Sequence, residues 1–65
     1  MITVIYINLR DGGPSSIVAY GDRSDDISIR DAEDGAPDGY DVLCSERTKR
    51  TITIYIKKRI PYEDA

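Results

Sequence analysis

The sequence predicts a small, mainly β domain: an antiparallel sheet of four or five strands, with room for one short helix. Three observations predict it. Two segments, Ile2–Leu9 and Thr51–Lys58, are dense in β-branched and aromatic residues and hold no glycine or proline. Clusters of Gly, Pro, Asp and Ser break up the apolar runs at short intervals. The chain has 65 residues, which is one domain at most.

Ile2–Leu9 is the clearest strand. Thr3, Ile5, Ile7 and Leu9 share one face, and Ile2, Val4, Tyr6 and Asn8 share the other. Both faces are largely apolar, as in a strand covered on both sides. Asp11-Gly12-Gly13-Pro14 stops it. Ser15–Tyr20 reads as a strand through Ile17 and Val18, although Pro14 would also suit the first turn of a helix. Gly21-Asp22-Arg23-Ser24 is the next expected turn. Asp26–Asp31 alternates, with Ile27 and Ile29 on one face and Ser28 and Arg30 on the other, which predicts a half-buried strand. Ala32–Gly39 holds two glycines and a proline and reads as an exposed loop.

Tyr40–Ser45 has two readings. As a strand it pairs with the next one through Glu46–Arg50. As a helix it takes Asp38 as N-cap, with Asp41 three residues on. The strand is favoured. Thr51–Lys58 turns Ile52, Ile54 and Ile56 inward and Thr51, Thr53, Tyr55 and Lys57 outward, as a sheet with one wet face requires. Pro61 ends it, and Tyr62–Ala65 is expected to fray. The expected core is Ile5, Ile7, Leu9, Ile17, Ile27, Ile29, Val42, Ile52, Ile54 and Ile56. An exposed edge on so small a sheet invites a homodimer.

A chain of this size buries only about 60% of the surface its unfolded form exposes, so core stability is thin. Cys44 is the single cysteine, which excludes an intrachain disulfide and points to a reducing compartment. It sits beside Val42 and Leu43 and reads as an inert buried thiol. The N-terminus has no basic region, and its apolar run is far short of the roughly 20 residues that span a bilayer. The expectation is a cytoplasmic protein with no membrane segment, or one in the host cytoplasm if viral.

The chain contains no histidine, no G-x-S-x-G, no P-loop and no second cysteine. No catalytic residue is therefore nominated, and the expectation is no enzyme and no cofactor. Asp31-x-Glu33-Asp34-Gly35 faintly resembles the start of a calcium loop. The third acid and the glycine each come one position early, however, and Val42 stands where the closing glutamate belongs. No metal is expected, because Asp and Gly are good turn residues in their own right.

Charge is the distinctive feature. The formal net charge is -3, but residues 11–46 carry ten acids against two bases, and residues 47–59 carry six bases and no acid. The acids Asp22, Asp25, Asp26, Asp31, Glu33, Asp34, Asp38 and Asp41 are the candidate partner-binding face. Duplex DNA presents one charge per about 1.7 Å of its axis, and a row of carboxylates can imitate it toward a basic protein groove. Size, acidity and the lack of catalytic residues together resemble the small proteins with which phages block host nucleic-acid enzymes, including anti-CRISPR proteins and other DNA mimics. The resemblance implies an inhibitor that binds a nucleic-acid-handling protein, and no site residue is carried over from it. The alternative is a nucleic-acid-binding module built on Arg47, Lys49, Arg50, Lys57 and Lys58 with Tyr55 for stacking. A pI near 4.7 counts against direct nucleic-acid binding. A third reading is a structural subunit that joins an assembly through its sheet edge.

Overall fold

The computed structural model describes residues 1–9 and 13–59. The elements run β1 (Ile2–Asn8), β2 (Ser16–Arg23), α1 (Ile29–Asp34), β3 (Tyr40–Arg47) and β4 (Thr51–Lys58). The four strands form one sheet in the order β2-β1-β4-β3. The protein is mainly β with one short helix, as expected. The pairings β1–β2 and β3–β4 are antiparallel, but the central pair β1–β4 is parallel. The sheet is therefore mixed, and the parallel pair is what the strand-by-strand reading lacked.

That central pair sets everything around it. Each edge strand runs antiparallel to its central neighbour, so β2 and β3 run in the same direction. The segment between them must cross two strands, and α1 is that crossover. Parallel crossovers are right-handed in about 98% of cases. The amides of Thr3 and Leu9 donate to the β4-side carbonyls of Arg50 and Ile56 at 2.8 and 2.9 Å. In a chain of L-residues, this direction of hydrogen bonding places the even-numbered side chains of β1 on the side to which a right-handed crossover carries α1.

The core follows. Ile2, Val4 and Tyr6 of β1, Ile52, Ile54 and Ile56 of β4, and Ala32 of α1 are buried. The β4 expectation holds residue for residue. The β1 expectation chose the wrong face: Ile5, Ile7 and Leu9 are only half-buried, on the side opposite α1. Both faces of β1 are apolar, so alternation could not choose between them. Ile17 is 60% exposed, and Val42 and Ile29 are also exposed rather than core. Ile27 packs against the core from its rim, with Val18, Ala19, Ala36 and Tyr40.

The predicted strand Asp26–Asp31 is not a strand. Ser28 is the N-cap of α1, extended at φ -83° and ψ 160°, and its hydroxyl accepts from the Asp31 amide at 3.0 Å. The Asp31 carboxylate stands in the first helical turn, and Gly35 closes the last one with its amide on the Ala32 carbonyl at 3.2 Å. Part of the predicted loop Ala32–Gly39 is thus helix. The two places offered for a helix, residues 14–20 and 38–47, are strand instead, and β2 runs on through the turn expected at Gly21–Arg23. Of the expected stop Asp11-Gly12-Gly13-Pro14, Asp11 and Gly12 lie outside the described residues, as do Pro61 and the tail expected to fray.

Tyr6 ties the layers together. Its hydroxyl donates to the Ala32 carbonyl at 2.6 Å. A Cβ at Gly35 would sit 2.7 Å from that hydroxyl oxygen, so glycine is needed there for close approach rather than for conformation. Tyr6→Phe should cost about 1 kcal/mol, because the Ala32 carbonyl keeps the Gly35 amide as a partner. Gly35→Ala should cost about 1–3 kcal/mol by overpacking. Once Tyr6→Phe has removed the hydroxyl, the clash is gone, so in the double variant the alanine should cost clearly less. Chemical denaturation of the four proteins of this cycle checks it, and additive costs would mean that Tyr6 and Gly35 do not couple.

Candidate functional site

The eight predicted acids do not share one face. Asp22 stands on β2 beside Thr3, whose hydroxyl donates to it at 3.0 Å, on the sheet face away from α1. Asp41 stands on the same side at the far end of β3, opposite Lys57. Glu33 turns toward the sheet and accepts from the Ser45 hydroxyl at 2.8 Å. These three leave the expected row. The reason is the helix: a strand and a loop would have spread the acids along one surface, whereas a helix over one face separates them into two layers.

Five acids remain on the helix side. Asp25 and Asp26 lie in the turn after β2, Asp31 and Asp34 on α1, and Asp38 in the turn before β3. All five are exposed. Asp25 accepts from the Met1 ammonium at 2.9 Å, which holds that amine above its ordinary pKa. Asp26 accepts from the Ser24 hydroxyl. Asp26, Asp31 and Asp34 line one open groove of about 700 Å³, together with Arg23, Ser24, Ile27 and Gly35. Three carboxylates thus face one guanidinium across a surface that two separate elements build. Arg23 is the residue at this groove that the sequence reading did not nominate. Its place at the end of β2 became visible only when that strand proved longer than expected.

The basic patch is also divided. Arg47, Lys49 and Arg50 lie at the β3–β4 turn, and Lys57 and Lys58 at the other end of β4. An eight-residue strand separates them by roughly 23 Å at about 3.3 Å per residue. Arg47 is committed to structure: its guanidinium donates to the backbone carbonyls of Ile27 and Asp25 at 3.2 and 3.1 Å, pinning the turn that leads into α1. Tyr55 does share the outward face with Lys57. Its hydroxyl donates to Glu46 at 3.0 Å, and that carboxylate raises the Tyr55 pKa by favouring the protonated phenol.

Cys44 is exposed, not buried as expected, because β3 is an edge strand with no layer over that side. Among the described residues no group of three or more Cys, Asp or Glu side chains is placed to hold a metal ion. Among them, too, no helix is long and apolar enough to cross a membrane. Comparison of the chain with protein-family models, with curated proteins and with solved structures finds no match.

Asp41 carries the clearest electrostatic signature. Arg59 donates to its Oδ1 through Nη2 at 2.6 Å and Nε at 3.1 Å, and this lowers the carboxyl pKa below its ordinary 3.8. The pair stabilises the fold above the unfolded carboxyl pKa, and that contribution is lost as pH falls through the lower folded value. Both side chains are about 60% exposed, so the effect is small and screened by salt. Asp41→Asn should therefore flatten the acid limb of thermal stability below about pH 4, and less so near 1 M salt. Melting curves from neutral to acid pH test this. An unchanged acid limb would mean that the pair does not persist in solution.

Proposed function

We propose that this chain is a non-enzymatic interaction protein that sets its acidic helix side against a basic, nucleic-acid-binding groove of a partner protein. In the most concrete form it is a DNA-mimic inhibitor of the anti-CRISPR kind, acting in the cytoplasm. The observation that carries this reading is the convergence of Asp26, Asp31 and Asp34 on one groove, from the β2–α1 turn and from α1. Asp25 does not add to this surface, because it is paired with the Met1 ammonium and lines a separate depression with Arg47, Lys49 and Arg50.

Three carboxylates against the single guanidinium of Arg23 leave the groove with a net negative charge that a cationic partner would neutralise. Association with such a partner is steered by charge, fast, and sensitive to ionic strength. The absence of histidine removes the usual general base. Direct nucleic-acid binding has less support, because the bases stand at opposite ends of β4 and Arg47 is engaged with backbone carbonyls.

Capture from a cell lysate tests the proposal. At low salt the chain should retain a basic protein. Duplex DNA should compete that protein away, and so should a rise to about 1 M salt, where the screening length falls to about 3 Å. Asp26→Asn, Asp31→Asn and Asp34→Asn together should weaken the purified complex by at least about tenfold. Asp22→Asn and Asp41→Asn, on the other sheet face, should leave it unchanged. Capture that survives both DNA competition and the triple substitution would overturn the reading.

A further inference from the structure

The face of the sheet away from α1 has no layer over it among the described residues. At its centre lie Ile5 and Ile7 of β1, Ile17 and Tyr20 of β2, and Tyr55 of β4, with threonines between them. Tyr20 is 75% exposed and Ile17 60%. A sheet with an apolar face is ordinarily packed against a second layer. One six-residue helix covers the other face, and this chain supplies no second helix among the described residues.

We propose that this face binds a second copy of the chain, sheet against sheet, so that the protein is a two-fold dimer with its helices outermost. The edges are poor places for association. β2 carries Val18 as an extra residue opposite β1, and β3 carries Leu43 as an extra residue opposite β4, so each edge is bulged and resists continuous pairing. The open face remains. Four strands about 4.8 Å apart and seven residues long span roughly 450 Å² in projection. Two such faces come to roughly 900 Å² before side-chain corrugation is counted, close to the threshold of about 1,000 Å² for a specific interface.

The pattern is also self-complementary. Tyr20 pairs with Ile5 in register, and Ile17 with Ile7 one level along the strands. A two-fold axis running across the strands lays the Tyr20–Ile5 level of one copy on the Ile17–Ile7 level of the other, in the aligned packing that twisted sheets adopt. The carboxylates Asp22 and Asp41 lie at opposite ends of the face, and Glu46, which accepts from the Tyr55 hydroxyl, lies between those ends on the Ile5 level. This operation brings Asp22 over the uncharged start of the partner's β2, and Asp41 over the turn that carries the partner's Lys49. Glu46 comes over the Cys44 level of the second copy, so no carboxylate meets another. The face is not basic, so a nucleic acid has less to hold there than a second copy does. The acidic groove lies on the outer side of each protomer, and the dimer displays two.

Sedimentation of the full chain over roughly 1 to 300 μM tests the proposal. The expected result is a concentration-dependent rise from the 7.3 kDa chain mass toward twice that value. Tyr20→Glu and Ile17→Glu each change an exposed side chain, and each should weaken association by at least about tenfold with an unchanged circular dichroism spectrum. Lys49→Glu should weaken it by a smaller factor, and Arg30→Glu, on α1, should not. A single 7.3 kDa species across the whole range would overturn the proposal. So would a dimer that both glutamates leave intact, or growth beyond the dimer.

Discussion

The parallel pairing of β1 with β4 is the constraint on which the rest of this structure depends. A parallel pair at the centre of a four-stranded sheet makes its two antiparallel edge strands co-directional. Their link has to pass over both central strands, and the handedness of that passage selects one face for the core. Six β side chains from the central pair and one alanine from the helix are then enough to close it. The small size of Ala32 matters, because the Tyr6 hydroxyl reaches the Ala32 carbonyl directly and holds helix to sheet.

The same constraint distributes the charge. A crossover over one face takes Asp25, Asp26, Asp31, Asp34 and Asp38 with it, and leaves Asp22 and Asp41 on the face behind. Arg47 projects on the helix side and is drawn into two backbone carbonyls of the crossover. The acidic and basic segments therefore do not neutralise each other as blocks. One arginine supports the acidic segment through its backbone, Asp41 takes Arg59, and the groove keeps an excess of carboxylate. On the proposed reading, that excess is what a cationic partner would meet.

The strands were legible in the residues. β4 shows clean alternation because one of its faces is wet, and β1 shows its β-branched density regardless of face. The helix was hidden for a physical reason. Ile27 and Ile29 are two apart, which imitates a strand, but Ile27 packs from the loop before the helix and Ile29 stands exposed at its first position. A local signal was present in Ser28-Ile29-Arg30-Asp31, an N-cap serine with an acid three residues on, followed by Gly35 as a stop. Six residues are too few to stand as a helix alone, so packing over the sheet makes it one.

The candidate groove was legible as composition and not as geometry. Local chemistry specifies β1 and β4 as strands, which residues are acidic, and that the chain offers no histidine for catalysis. Those properties act over a few residues and need no knowledge of the partner strand. Which face of β1 is buried, which acids converge and which arginine is spent on backbone all depend on pairings between residues about fifty apart in the chain. Alternation is symmetric between the two faces of a strand, and only the direction of the crossing helix breaks that symmetry.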